Sequence, residues 1–224
     1  RRALLCGAAG AMALPAVFAK GARADTWPSR PVKVIVGYPA GGANDLVARM
    51  VAQEMGEKLN GNFIVDNRSG AAGAIGAEVA AKSPPDGATL YMMSSSQVLA
   101  PSIKKSLPYD PVKDFSAITL CASSSYILCV HPSVPVKTLA ELVDYAKKNP
   151  GKLNYASSGI GAGPHLASAL LVARNGIKIT HVPYRGDTPA ITDLLAGQVQ
   201  MYFMSIAPGI PHIQSGAVRP IAIA

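Results

Sequence analysis

The chain has 224 residues, 49% of them apolar and only 15% charged. That is enough for a buried core and too apolar for intrinsic disorder. Its formal net charge is +8, but no Lys/Arg run concentrates that charge, which argues against nucleic acid as a partner. The three cysteines show no Cys/His spacing of a metal site, so neither a metal nor any other cofactor is expected.

Arg1 and Arg2 open the chain, Ala3 to Ala19 is apolar and small, and Ala22-Arg23-Ala24 reads as an A-x-A cleavage site. Residues 1–24 therefore read as a signal peptide cut after Ala24, with export to the periplasm by the general or the twin-arginine route. A membrane anchor fits less well, because the apolar run falls short of the ~20 residues that span a bilayer. Cleavage removes Arg1, Arg2, Lys20 and Arg23 and lowers the net charge to +4, a mild balance suited to a small anion. Cys6 leaves with the signal. Cys121 and Cys129 lie in the apolar, strand-like runs "ITLCA" and "YILCV". They are expected as buried free thiols, although pairing in an oxidising compartment stays open.

Strand and helix patterns then alternate. Val32–Gly37 is a β-branched strand. Asn44–Leu59 has a helical face at residues 47, 50, 51 and 55, with Asn44 as cap and Asp45 four residues before Arg49. Asn62–Asn67 is a strand, "GAIGAEVAAKS" a small-residue helix stopped at Pro84-Pro85, and Ala88–Ser94 a third strand. Cys121–Thr138 marks the crossing between two series of α/β units. Thr138 and Glu141 form a capping box for a helix to about Lys148. "KLNYA" is a strand, Pro164–Arg174 a helix, Ile177–Val182 a strand, and Thr188-Pro189 the start of a helix stopped by Gly197. "QVQMYFM" and "VRPIAIA" read as further strands. The pattern predicts an α/β fold with largely parallel sheets.

Two loops share one design. Gly37–Asp45 ("GYPAGGAND") and Ser157–His165 ("SSGIGAGPH") each leave a strand and enter a helix through glycines. Glycines let backbone N–H groups approach a ligand, and the helix N-terminus behind them is partly positive. Such loops cradle anions without a cationic side chain. Taken singly, each could be an ordinary tight turn; two in matched contexts favour a cleft with one cradle per wall. No complete Walker, dinucleotide or nucleophile-elbow pattern is present. Tyr184 and Arg185 follow a strand in "HVPYRGDTPA", where Arg185 could clamp a carboxylate or simply face solvent. Ser94–Gln97 offers neutral hydrogen-bonding groups, or a helix cap. An enzyme using His165 and a loop serine is the alternative; it requires His165 within reach of a serine and oriented by a carboxylate.

The ordered series "YPAGGANDLVAR", "DNRSGAAGAIGAEVAAKSPPDGATL", "LPYDPVKDF", "SSGIGAGPHLA" and "THVPYRGDTPAITDLLAGQVQMYF" resembles the Bug-type periplasmic receptors of tripartite tricarboxylate transporters. The resemblance implies a two-lobed Venus-flytrap of the type II periplasmic binding class, with lobes at residues 25–125 and 126–224. It implies a monomeric, non-enzymatic receptor that holds a small organic acid between the lobes and delivers it to one large and one small membrane subunit. A ligand-presenting sensor is the other role it allows. Carried over by position, the ligand residues are Tyr38, Pro39, Ala40, Gly41, Gly42, Ala43 and Asp45 on one wall. Ser157, Ser158, Gly159, Gly161 and His165 are on the other, and Ser95, Ser96, Gln97, Tyr184, Arg185 and Gly186 complete the cleft. The family often carries an aspartate after "QVQMYF", where Met204-Ser205 stands here, which implies a ligand without an amino group. The family also continues past Ala224, so the chain is expected to lack a return to the first lobe.

Overall fold

The computed structural model describes residues 27–224, so the signal-peptide reading lies outside the described residues. Two sheets organise the chain. The first holds β1 (Val32–Val36), β2 (Phe63–Asn67) and β3 (Thr89–Met92) in the order β2-β1-β3, all parallel. Between its strands run α1 (Ala43–Leu59), a 3-10 turn (Ala71–Gly73) and α2 (Ala74–Ala81); α3 (Ser95–Leu99) follows β3.

α1 corrects the expected helical face. Its buried stripe is Ala48 and Ala52 beside Asp45, while Met50 is 69% exposed. Small side chains let the helix lie close on Val34 and Val36 of β1, and that contact outweighs the larger apolar residues of the sequence pattern. Asn44 is not the cap either: Gly42 occupies that place, and the helix starts at Ala43. α2 presents Ala74 and Ala77 to Tyr109 on the opposite face of the sheet.

The second sheet has the order β6-β5-β7-β4-β8. It comprises β4 (Tyr126–Val130), β5 (Asn154–Ser157), β6 (Thr180–Pro183), β7 (Met201–Ser205) and β8 (Arg219–Ile223). β5 is parallel to β6 and β7, but β4 runs antiparallel to both β7 and β8. This sheet is therefore mixed, against the parallel expectation. Alternate residues of β4 and β7 feed opposite faces, as the period of two requires. Leu128, Val130, Met201 and Phe203 pack with α4 (Leu139–Lys148) and α5 (Gly163–Asn175). Cys129, Tyr202 and Met204 pack with α6 (Asp187–Leu195) and α7 (Ile206–Gln214). Burial on both faces explains why β7 is apolar almost throughout.

Other boundaries also move. α6 begins at Asp187 behind Gly186, not at Thr188-Pro189. Cys129 is buried, but Cys121 is exposed in a segment outside any strand, so only one thiol is buried as expected; both are free. No helix among the described residues is long and apolar enough to cross a membrane.

Candidate functional site

Strand direction decides what meets between the two sheets. β1 and β3 deliver Tyr38 and Ser94 from their carboxyl ends, and β5 delivers Ser158 from its own. β7 runs parallel to β5, so its last residue, Ser205, emerges at the same edge. β4 is antiparallel and registers Tyr126 opposite Ser205, which brings its first residue to that edge too. Ligands of open α/β sheets bind beyond the carboxyl ends of the strands, and the space found there fits that rule.

It is a cleft of about 360 Å³, its open mouth included. On one side stand Tyr38, Gly42, Ala43, Asn44, Ser94 and Ser96; on the other stand Tyr126, Ser158, Ala162, Gly163, Pro164, Asp187 and Ser205. Helix N-termini converge here from both sheets. Gly42 caps α1, Ala162 caps α5, and Ser205 caps α7, while Asp187 is the first residue of α6. Within α1 the first inward bond runs from Leu46 N–H to the Gly42 carbonyl, and within α5 from Leu166 N–H to that of Ala162. The N–H groups of Ala43, Asn44, Gly163 and His165 precede those bonds in the first turns, where a helix leaves donors for an outside acceptor. Asn44 Nδ2 is buried and lacks a hydrogen-bond partner within the protein. The wall therefore offers a surplus of donors.

A network braces the first wall. Tyr38 OH lies 2.7 Å from Ser96 Oγ and donates to the Ala72 carbonyl at 3.0 Å; Ser94 N–H donates to Gln97 Oε1 at 2.7 Å. Gln97 Nε2 also reaches the Ala72 carbonyl. Asp45 is 1% exposed and turns into the loop. It accepts from Gly41 N–H at 2.9 Å, Arg49 Nε at 2.9 Å and Asn67 Nδ2 at 2.9 Å. Burial raises its pKa, but the bonds from Arg49, Gly41 and Asn67 outweigh that and hold the carboxyl below its ordinary value.

The second wall carries a carboxylate. Asp187, 9% exposed, accepts from Tyr202 OH at 2.5 Å and Ser205 Oγ at 2.9 Å. Burial, and then the charge of Asp187, push the Tyr126 phenol up to about 12 and Tyr202 well above its ordinary value. Both phenols stay protonated at neutral pH. The sequence suggested that Met204-Ser205 leaves this region without a carboxylate; one arrives instead from the start of α6.

The remaining sequence-named residues are spread around this cleft. Pro39, Ala40, Gly159 and Gly186 form the seam between the two walls. A Cβ at Gly186 would meet the Pro39 ring at 2.2 Å and one at Gly159 would meet Ala72 at 3.2 Å, while Thr188 Oγ1 donates to the Ala40 carbonyl at 2.9 Å. Gly161 faces Ile103 and lines a second hollow with Ala72, Lys104 and Tyr109. Ser95 and Arg185 are exposed, and Tyr184 OH donates to Asp193 Oδ2 at 2.6 Å. His165 Nδ1 accepts from Gly161 N–H at 3.2 Å. The serine–histidine contact in this region is instead Ser157 Oγ to His181 Nε2 at 2.6 Å. His181 stacks on Tyr155 and lies 4.4 Å, centroid to centroid, from His165. Among the described residues no carboxylate orients either ring, so the geometry set for the enzyme alternative is not met. Asn44 and Ala162 sit inside the two loops that the sequence singles out; Tyr126, Asp187 and Ser205 escaped sequence reasoning and come together only through strand order.

The fold and cleft define a class: two lobes of α/β structure closed over a polar cavity, as in periplasmic binding proteins. Residues 47–224 match the family model described as "Tripartite tricarboxylate transporter family receptor". A protein from the tcbD–tcbE intergenic region of Pseudomonas sp. strain P51 is 39% identical over 223 residues, which is 100% of this chain and 66% of that protein. Among solved structures, an R. palustris protein with adipate is 34% identical with a TM-score of 0.85, covering 88% of this chain and 66% of that one. MatC from Rhodopseudomonas palustris with bound malate is 31% identical with a TM-score of 0.80, covering 88% and 68%. The chain belongs to the tripartite tricarboxylate transporter receptor family. It spans about two thirds of the length of these relatives.

Proposed function

We propose that this protein is an exported, periplasmic receptor that traps a small organic acid between two lobes, residues 25–125 and 126–224. It then hands the acid to the large and small membrane subunits of a tripartite transporter. The supporting observation is the convergence on one small cleft of helix N-termini from both sheets, with Asn44 Nδ2 buried and unpartnered beside them. Two relatives of known structure hold carboxylates, adipate in one and malate in the other. Each backbone N–H bond to a carboxylate contributes roughly 1.5–3 kcal/mol. A few of them, less desolvation and closure, suffice for micromolar binding. A ligand that touches both walls favours the closed form, which is the population shift expected of a hinged receptor.

The test uses the full-length mature protein. Mass spectrometry identifies the acid that co-purifies, and calorimetry measures its affinity for wild type and for Gly42→Asp. A Cβ at Gly42 would point toward Asp187, 3.9 Å from its Oδ2, so the variant places a negative charge where the acid binds. A loss of at least 100-fold in affinity with an unchanged melting curve is expected. Unchanged affinity overturns the site.

A further inference from the structure

Asp187 is the group in the cleft that an anion receptor does not need. Its carboxylate stands on the cavity wall, nearly buried, and among the described residues no Lys, Arg or His pairs with it. Its partners, Tyr202 and Ser205, are neutral hydroxyls on β7. A carboxylate offers about four acceptor positions, and these bonds use two. It does not serve as the cap of α6, because Gly186 holds that position and the carboxylate bonds to β7 instead. The N-termini of α6 and α7 lie beside it.

Across the cleft, Gly42 leads into α1, and an added Cβ there would lie 3.8 Å from the Asp187 Cβ. The first turn of α1 and the Asp187 carboxylate thus stand close together on facing walls, a donor-rich pole beside an acceptor pole. A ligand that carries only carboxylates meets repulsion at one pole. A ligand with a carboxylate at one end and a protonated nitrogen at the other satisfies both. Removing a charge from water into such a site is costly unless it is paired, so Asp187 penalises the one class as it selects the other.

We infer that Asp187 is a specificity-determining residue that binds the protonated amine of a zwitterionic, amino-acid-like ligand whose carboxylate lies against the helix N-termini. This rests on the receptor reading, and it reverses the expectation drawn from Met204-Ser205.

The experiment is calorimetry on the full-length mature protein with matched probes that differ by the amino group: aspartate against succinate, glutamate against glutarate, 2-aminoadipate against adipate. The aminated member of at least one pair is expected to bind roughly 10- to 100-fold more tightly, the range of one charge-assisted hydrogen bond. Asp187→Asn is expected to abolish that preference and to tighten binding of the plain dicarboxylate. Equal or better binding of the plain acid by wild type overturns the inference and leaves the receptor reading standing; this arm needs no variant to fold. Failure of folded wild type to bind either member of any pair also overturns the inference, and the receptor reading is then decided by whether an acid co-purifies. A preference for the amine that survives in folded Asp187→Asn shows that other groups read the nitrogen, and it also overturns the assignment.

Discussion

Gly186→Ala tests whether the two walls must touch for the receptor to work. Gly186 has φ of +147° and sits against Pro39, where a methyl group would lie 2.2 Å from Cδ and 2.7 Å from Cγ. Carbon atoms in contact rest about 3.5–4.0 Å apart, so the seam must open by more than ~1 Å. Overpacking of this kind costs about 1–3 kcal/mol. Borne by the closed form alone, that cost lowers the closed population and weakens apparent ligand affinity roughly 5- to 150-fold. The strained φ is common to open and closed forms, so it lowers the melting temperature without affecting closure. Gly176→Ala is the control: φ there is +59°, and no atom lies within 4 Å of an added Cβ. It should lose stability from backbone strain but keep its affinity. Calorimetry gives the affinities, and small-angle scattering with and without ligand reports closure. Wild-type affinity in folded Gly186→Ala would refute the reasoning, because the seam would then be irrelevant to capture.

Asp45→Asn should lower stability by about 2–3 kcal/mol in urea unfolding, since it weakens charge-assisted bonds to Gly41, Arg49 and Asn67 at a buried position. It should also weaken ligand binding by loosening the first loop; a loss of affinity without a loss of stability would instead make Asp45 a direct ligand contact. Acid should destabilise the fold through His181, whose pKa burial, and then His165, lower to about 4. The unfolded ring takes its proton near pH 6.5. The stability from the neutral ring is therefore full above that pH and is lost as pH falls toward about 4, at up to ~1.4 kcal/mol per pH unit. Urea midpoints from pH 7 to pH 4 should fall for wild type and fall less for His181→Gln. Identical slopes would remove His181 from the account.

Much of the scaffold was legible because burial on one or two faces leaves a period in the sequence. The strands of both sheets show as apolar runs and α1 as a helical period, though its buried face is Ala48 and Ala52; α2, α4 and α5 were legible from small residues, a capping box and helix stops instead. α7 was not, because Pro208, Gly209 and Pro211 read as breakers. Pro208 falls in its first turn, where no N–H is needed, and Pro211 is accommodated within the helix. The direction of β4 was equally invisible, since a buried strand shows the same apolar run either way. The site divides along the same line. The glycine loops announce themselves locally, and so does the turn that brings Gly42 and Ala43 to the cleft. Tyr126, Asp187 and Ser205 come from three separate elements, and nothing in their local sequence says that the starts of β4 and α6 meet the end of β7 at one edge. Asp45, Gln97 and Tyr184 look like ligand groups in the sequence because they are polar residues in the right loops. Folded, they spend their hydrogen bonds on Gly41, Ala72 and Asp193.

The central claim is that peptide N–H groups at facing helix ends, rather than a basic side chain, bind the acid. A crystal structure of the full-length protein grown with its co-purified acid tests this most directly. Carboxylate oxygens within hydrogen-bonding distance of the N–H groups of Ala43 or Asn44 on one wall and of Gly163 or His165 on the other are the result expected. A carboxylate held by Arg185 or Lys104, away from those helix ends, would contradict it.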